Sequence, residues 1–151
     1  MLSASSTVLV IDDDPHLLAS IGRLLRSLGI NVQLFGSISE FLSSDPPECP
    51  ACLVLDIRLP GRSGLDLQRE LAEANNEIPI IFVTGHGDVP MSVQAMKRGA
   101  IEFLTKPFRD QDLIDAIQIG IARDSARRES DQELAVLRER FDLLSPRAVS
   151  Y

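Results

Sequence analysis

Three adjacent carboxylates follow an apolar segment near the N-terminus, in the stretch VLVIDDDP that begins at Val8. Aspartate is depleted in strands and neighbouring like charges repel, so the end of a buried strand is an unusual place for three carboxylates. Asp14 precedes Pro15, an arrangement typical of a helix N-cap followed by the first helical residue. Asp12 and Asp13 are therefore the candidates for chemistry.

Three further polar residues come directly after apolar segments: Asp56 ends CLVLD, Thr84 follows PIIFV and Lys106 follows AIEFLT. Asp12, Asp13 and Asp56 cannot lie together uncompensated, so either protons are taken up or a cation is bound. Oxygen ligands without thiolate or imidazole favour a hard cation, Mg²⁺ before Ca²⁺. Lys106 offers a positive charge to a phosphate group, and Thr84 offers a hydroxyl donor. Asp56 stands alone at the end of its segment. It is the best candidate nucleophile for an aspartyl phosphate, with Asp12 and Asp13 sharing the metal.

Five apolar, β-branched segments alternate with helical patterns, and they occupy residues 7–11, 31–35, 52–56, 79–83 and 100–104. The first helix has an apolar face formed by Leu17, Leu18, Ile21, Leu24, Leu25 and Leu28. Gly29 is predicted to end it, and the fourth helix is predicted to turn Val93 and Met96 inward. The alternation predicts a parallel α/β sheet with helices on both faces. Ligands in such sheets bind beyond the carboxyl ends of the strands, so the polar residues are expected at one edge.

The composition of the 151 residues is that of one ordinary globular domain, with 44% hydrophobic and 25% charged residues. A net charge of −7 argues against a free nucleic-acid-binding surface. The sequence has no apolar run of about 18 residues and no signal-peptide pattern, and its two cysteines do not make a disulfide framework. We therefore expect no membrane contact and a cytoplasmic location.

Four motifs follow one another along the chain: VLVIDDDP, LVLDIRLPGRSGLDL, IIFVTGHGD and GAIEFLTKPF. Over residues 5–122 the chain thereby resembles the receiver domains of two-component response regulators, especially those of FixJ/LuxR-type transcriptional regulators. The resemblance implies a flavodoxin-like, or CheY-like, fold, which is a doubly wound (βα)5 parallel sheet with strand order 2-1-3-4-5. The tail adds a C-terminal helical extension. The resemblance also implies that the protein is no ordinary enzyme but a phosphoacceptor that catalyses its own phosphorylation and dephosphorylation.

The resemblance further implies a role for each polar residue at the predicted edge. Asp56 would accept a phosphoryl group from a sensor histidine kinase. The implied Mg²⁺ ligands are Asp12, Asp13, Asp56 and the main-chain carbonyl of Arg58. Thr84 and Lys106 would hold the phosphoryl oxygens, and Phe103 matches the aromatic switch position of the family.

Two finer points come from the same resemblance. The peptide bond between Lys106 and Pro107 is implied to be cis, which is uncommon for X–Pro bonds in general. Side chains two residues after the acceptor and after the threonine tune phosphate lifetime in the family, and here these are Arg58 and His86. An interpretation of both as solvated loop residues is equally good.

The stretch CPAC contains both cysteines, Cys49 and Cys52, and looks like a redox motif. A redox C-x-x-C places its first cysteine at a helix N-terminus, whereas this one leads into a predicted strand. His16 and His86 would complete a set of four zinc ligands, but a five-residue strand separates them from the cysteines by about 16 Å. Structural or incidental cysteines are the better interpretation.

The charge distribution changes near residue 120: residues 1–120 carry the net charge of −7, and residues 121–151 are neutral. We assign residues 1–122 to the receiver domain and residues 123–151 to a helical linker. In the linker, Leu134, Leu137, Phe141 and Leu144 follow a 3-4-3 spacing over two heptads. About three or four heptads are needed to indicate a coiled coil. A helix folded back on the domain, a disordered end and a dimer seam are all open.

The tail ends in LLSPRAVSY, which resembles the opening of a LuxR-type helix-turn-helix domain and then departs from it. We interpret the chain as the receiver and linker of a transcriptional regulator whose DNA-binding domain is absent from this sequence, with a phosphorylation-dependent homodimer as its output. The alternative is a stand-alone receiver that acts in a phosphorelay or by protein–protein interaction. A Mg²⁺-dependent phosphatase is a third possibility, but that class typically carries a second acid two residues after the nucleophile, where this chain has Arg58.

Overall fold

The computed structural model describes residues 5–85 and 89–144. Its main strands are β1 (Thr7–Ile11), β2 (Asn31–Phe35), β3 (Ala51–Asp56), β4 (Ile80–Thr84) and β5 (Glu102–Thr105). Its helices are α1 (Pro15–Ser27), α2 (Ile38–Leu42), α3 (Gly64–Glu73), α4 (Val89–Lys97) and α5 (Asp110–Leu144). A short antiparallel hairpin, Arg58–Leu59 with Arg62–Ser63, lies between β3 and α3.

The five main strands form one parallel sheet in the order β2-β1-β3-β4-β5, which confirms the predicted topology. Every residue of β1, β3 and β4 is buried, whereas the edge strands β2 and β5 are partly exposed. Two apolar clusters form the core, one on each face of the sheet, as a parallel sheet covered on both sides requires. The strand register aligns Asp56 with Val83 and Thr84 with Thr105, so the carboxyl ends of β3, β4 and β5 reach the same edge.

The helix boundaries follow the predicted capping chemistry. Asp14 accepts a hydrogen bond from the His16 N–H at 2.9 Å, and Pro15 is the first residue of α1. Ser37 caps α2, and its hydroxyl oxygen accepts from the Glu40 N–H at 3.1 Å. Gly29 follows the end of α1 at a φ of 77°, a left-handed backbone that favours glycine. The capping role predicted for Asp14 is thus confirmed.

Helix α4 presents a different face to the core from the one predicted. Val93 and Met96 are 46% and 42% exposed, whereas Ala95 is fully buried and Met91 is half-buried. Met91 and Ala95 are four residues apart and therefore share one side of the helix. The small alanine lets α4 approach α3, where Gln68 Nε2 donates to the Ala95 carbonyl at 3.1 Å. The prediction that Val93 and Met96 face inward was therefore wrong, because it gave the buried positions to the larger apolar residues.

Helix α5 runs without a break from the sheet into the tail. It packs on the sheet through a buried stripe of Leu113, Ala116, Ile117, Gly120 and Ile121. A Cβ at Gly120 would lie 3.1 Å from the Cβ of Cys52, so the missing side chain permits close approach. Residues 129–144 are all exposed, so a folded-back tail is wrong for this segment, and residues 145–151 with their SPR stretch lie outside the described residues. No helix in the described ranges has both the length and the apolar character to cross a membrane.

Candidate functional site

Charged residues from three strand ends meet at the carboxyl edge of the sheet. Lys106 Nζ, beyond β5, donates to Asp12 Oδ2 beyond β1 at 2.8 Å and to Asp56 Oδ2 in β3 at 3.2 Å. Asp12 and Asp56 are buried, at 1% and 4% exposure, while Asp13 is exposed. Carboxylate oxygens of the three aspartates lie within 4.8 Å of one another. The structure thus brings together four of the residues predicted from strand ends.

Backbone N–H groups hold the two buried carboxylates in place. The Asp14 N–H donates to Asp12 Oδ1 at 2.9 Å, and the Arg58 N–H donates to Asp56 Oδ1 at 3.1 Å. Each carboxylate therefore uses one oxygen to bind its own loop and turns the other toward Lys106. The orientation of both side chains is fixed before any ligand arrives.

The charges at this edge do not balance. The pKa of Asp56 is raised above its ordinary value, mainly because burial disfavours the charged carboxylate and the negative charge of Asp12 adds to this effect. The hydrogen bond from the Arg58 N–H and the positive charge of Lys106 lower the pKa but do not reverse the rise. Burial alone would lower the pKa of Lys106, but its hydrogen bonds and charge interactions with Asp12 and Asp56 raise that pKa above its ordinary value. Three carboxylates around one ammonium group still favour an added cation.

The three aspartates fit a hard divalent cation. Two oxygens bound to one Mg²⁺ at about 2.1 Å lie no more than about 4.2 Å apart, and the carboxylates already lie within 4.8 Å of one another. Small side-chain adjustments would bring one oxygen of each into range. Among residues 5–85 and 89–144, this is the one group of three or more His, Cys, Asp or Glu side chains with such spacing.

The two residues expected to form a switch lie on β4 and β5, whose carboxyl ends reach the edge of this cluster. Thr84 ends β4 at 1% exposure, and its carbonyl accepts from the Lys106 N–H at 2.7 Å. Phe103 in β5 is half-buried, and its ring centroid lies 6.3 Å from that of Phe82 with 39° between the ring planes. The Lys106–Pro107 peptide bond is cis. Strands β4 and β5 therefore connect the charged edge to an aromatic ring.

Of the two residues considered for tuning phosphate lifetime, only Arg58 lies among the described residues. Arg58 opens the short hairpin two residues after Asp56, and it is exposed. Its backbone N–H binds Asp56, and its side chain is open to solvent. His86 lies outside the described residues.

Gly64 belongs to the site and was missed from the sequence. It is the first residue of α3, and its N–H donates to the Ile57 carbonyl at 2.8 Å. A Cβ at this position would lie 2.6 Å from the Asp56 carbonyl oxygen, so a larger residue would displace the end of β3. The sequence does contain a sign of this role. Glycine is a poor helix former, and a glycine directly after the Ser63 cap indicates that something other than helix propensity selects it.

The cysteines lie at the other end of β3 from the charged edge. Cys49 and Cys52 form no disulfide, and Cys52 is fully buried. Burial, with a smaller contribution from Asp124, raises the pKa of the Cys52 thiol well above its usual range. A buried thiol of this kind is unreactive, which supports a structural interpretation of Cys52.

The fold and the edge cluster define a class of signalling domain. The chain belongs to the response regulator receiver domain family, whose model matches residues 8–118. It is 53% identical over 145 residues to nodulation protein W of Bradyrhizobium diazoefficiens, covering 96% of this chain and 64% of that protein. It is 37% identical over 146 residues to the transcriptional regulatory protein FixJ of the same organism, covering 97% of this chain and 71% of FixJ.

A solved structure agrees with this assignment. The response regulator StyR superimposes with a TM-score of 0.85 at 47% identity, covering 91% of this chain and 69% of StyR. The receiver fold and the resemblance to FixJ-type regulators are therefore confirmed. The family is one of regulators rather than classical enzymes.

Proposed function

We propose that this chain is the phosphoacceptor of a two-component system and receives a phosphoryl group on Asp56 from a sensor histidine kinase. The placement of Asp56 carries the proposal. Its carboxylate is buried at the end of a central strand, with Oδ1 held by the Arg58 N–H and Oδ2 3.2 Å from Lys106 Nζ. A fixed carboxylate beside a single cation suits an oxygen nucleophile that must receive a negatively charged group.

The proposed transfer is a single displacement at phosphorus. An Asp56 oxygen forms a bond to phosphorus while the bond from phosphorus to the kinase histidine nitrogen breaks. Lys106 offsets the negative charge on the phosphoryl oxygens, and the Thr84 hydroxyl donates a hydrogen bond to one of them. Attack of a water oxygen on phosphorus then breaks the bond to the Asp56 oxygen, releases inorganic phosphate and returns the carboxylate, and we propose that the chain itself catalyses both steps.

The proposed metal site uses the excess of negative charge at the edge. Asp12, Asp13, Asp56 and the main-chain carbonyl of Arg58 would hold Mg²⁺, which would neutralise charge on the incoming phosphoryl group. The spacing of the three carboxylates supports this assignment. Arg58 and His86 are the candidates for setting the lifetime of the phosphorylated state.

Asp56→Asn should abolish phosphorylation, because the amide is no nucleophile toward phosphorus. Intact-protein mass after incubation with a small phosphodonor and Mg²⁺ measures the phosphoryl adduct. Asp45→Asn, which changes an exposed aspartate outside the site, is the matched control and should be modified like the wild type. An adduct of equal yield on Asp56→Asn would overturn the assignment.

We further propose that phosphorylation alters the surface formed by α4, β5 and α5 and favours a homodimer. Attraction of the Thr84 hydroxyl to the phosphoryl group would move the end of β4. That movement would make room for the half-buried ring of Phe103 to turn inward. Val93 and Met96 are exposed on α4, so an apolar surface is already present there. The local charge event would bias a two-state element, as in other phosphorylation switches.

Thr84→Ala should leave Asp56 able to accept phosphate but weaken the coupling to dimerisation, because the hydroxyl that senses the phosphoryl group is gone. Sedimentation velocity of wild type and variant, each with and without a stable phosphoryl mimic, measures the coupling. Adduct formation by mass shows that the acceptor is intact. A wild type that stays monomeric with the mimic bound would contradict the dimer output.

The relatives suggest which kind of output domain the receiver controls. We propose that residues 1–122 form the receiver and residues 123–151 the linker to a helix-turn-helix domain that binds DNA. The names and greater lengths of the relatives support this arrangement. The long continuous helix α5 suits a connector better than it suits a stand-alone receiver.

A further inference from the structure

The exposed end of α5 carries an apolar stripe that no described part of the chain covers. The stripe consists of Leu134, Leu137, Phe141 and Leu144, which are 48%, 58%, 63% and 82% exposed. Their spacing places them on one side of the helix, at the a and d positions of two heptads. We propose that this stripe, here called the seam, pairs in parallel with the seam of a second copy of the chain. The proposal rests on the homodimer proposed above and assigns part of its interface to the linker.

The seam lies on a different side of α5 from the stripe that packs on the sheet. Successive residues of an α-helix are turned by about 100°, so the seam lies about 110° around the helix from the stripe that packs on the sheet. Nearer the receiver, the seam side of α5 carries Ile119, which is 57% exposed. Arg123 also lies on this side and donates to the Gly99 carbonyl, between α4 and β5, at 3.1 Å. The seam is therefore continuous with the α4–β5–α5 surface proposed to respond to phosphorylation.

The charges beside the seam favour a parallel pair. Glu133 occupies a g position and Arg138 the following e position, and both side chains are exposed. No ion pair joins either of them to another described residue. In a parallel dimer, Glu133 faces Arg138 of the partner subunit, and symmetry repeats the pair. Antiparallel pairing of the same stripe would instead bring Arg138 close to Arg138 of the partner subunit.

The seam does not extend toward the N-terminal part of α5, where the helix is bound to the receiver. The preceding a and d positions are Arg127 and Ser130, both polar. Arg127 is already engaged, since it donates to Asp124 Oδ1 at 2.7 Å and to Asp131 Oδ2 at 3.1 Å. Two heptads are too short to hold a dimer by themselves. The seam therefore strengthens an association that the phosphorylated receivers begin, and its weakness keeps the unphosphorylated chain monomeric.

Sedimentation equilibrium of the 151-residue chain, with Mg²⁺ and beryllofluoride as the phosphoryl mimic, tests the seam. Leu137→Asp should raise the dimer dissociation constant at least about tenfold, because pairing would bury a carboxylate. Leu143→Asp is the matched control, because Leu143 is 81% exposed and lies outside the seam. It should dimerise like the wild type. Circular dichroism shows whether each variant keeps its helix.

An exchange of charges tests the orientation. Glu133→Arg and Arg138→Glu should each weaken the dimer, and the double variant should restore it. Equal dimerisation of Leu137→Asp and Leu143→Asp would overturn the seam and leave the phosphorylation-dependent dimer intact. A double variant that fails to recover would overturn the parallel orientation. A wild type that stays monomeric with the mimic bound would overturn both the seam and the dimer, while the adduct on Asp56 tests the acceptor independently.

Discussion

The sheet has a buried charge cluster at each end, and the two clusters differ in the balance of their charges. At the carboxyl edge, Asp12 and Asp56 share a single cation, Lys106, and Asp13 adds a third negative charge within reach. At the amino edge, where β3 begins, a single buried carboxylate, Asp124, meets two guanidinium groups. The first cluster has more carboxylates than cations, whereas in the second the one buried carboxylate has two cationic partners.

The amino-edge cluster satisfies its buried carboxylate completely. Asp124 Oδ2 accepts from the Ala51 N–H and from Arg128 Nε, each at 2.9 Å. Asp124 Oδ1 accepts from Arg127 Nη2 at 2.7 Å and Nε at 3.1 Å. Arg128 also donates to the Pro47 carbonyl at 3.1 Å. The network therefore ties α5 to the start of β3 and to the preceding loop.

This contrast distinguishes a charge cluster whose partners compensate its buried carboxylate from one in which negative charge is left over. A buried charge stabilises a fold only when its partners and hydrogen bonds offset its desolvation. Asp124 meets that condition without any added group. The carboxyl edge does not, and a bound cation would neutralise the negative charge that remains there.

The largest effect is expected from Asp124→Ala, which should lower the free energy of unfolding by about 3 kcal/mol. The substitution leaves the buried Ala51 N–H without its acceptor and removes the carboxylate that fixes both arginines. Urea denaturation measures the loss. Asp131→Ala is the matched control, because Asp131 pairs with Arg127 but is 60% exposed, and it should change stability by less than about 1 kcal/mol. Equal losses in the two variants would refute the structural role of the buried cluster.

A smaller effect of opposite sign is expected at the carboxyl edge. Asp13→Asn should raise the stability of the Mg²⁺-free protein by up to about 1 kcal/mol, because it removes an exposed charge from a repulsive group. Asp12→Asn should show no such gain, because it also weakens the 2.8 Å contact with Lys106. Thermal unfolding in chelator and in Mg²⁺ measures both.

Both variants should also reduce the stabilisation that Mg²⁺ gives to the wild type, because each lacks a proposed ligand. Asp45→Asn should keep that stabilisation in full. If Mg²⁺ stabilised Asp13→Asn as strongly as the wild type, Asp13 would not be a ligand. If Asp13→Asn were instead less stable in chelator, repulsion would not govern this edge.

The carboxyl edge could be predicted from the sequence because each of its residues ends an apolar segment. Parallel strands bring their carboxyl ends to one edge, so Asp12, Asp56 and Lys106 had to meet once the alternation of strands and helices was recognised. The strand order came from the resemblance of the motifs to a known family, since alternation alone leaves several orders open. The helix cap at Asp14 was readable because capping depends on adjacent residues.

The amino-edge cluster could not be predicted in the same way. Asp124 lies in a charged stretch that has the composition of a solvated helix, and its backbone partner Ala51 is 73 positions away. The prediction of which face of α4 is buried was wrong for a related reason, because close packing against the core favours Ala95 over its larger apolar neighbours. Gly64 was missed because its role depends on a carbonyl that approaches it from β3.

The smallest effect is expected at Cys52, which packs beside the amino-edge cluster. Its burial and raised pKa leave little thiolate, so a thiol reagent at pH 8 should not modify Cys52 in the native protein. A Cys49→Ser background isolates the signal of Cys52, and unfolding in urea should release one reactive thiol. Asp124→Ala in that background should label faster, because a less stable amino edge opens more often. If Cys52 reacted rapidly in the native protein, or if Asp124→Ala left its labelling rate unchanged, the amino-edge cluster would not be what keeps this end of the sheet closed.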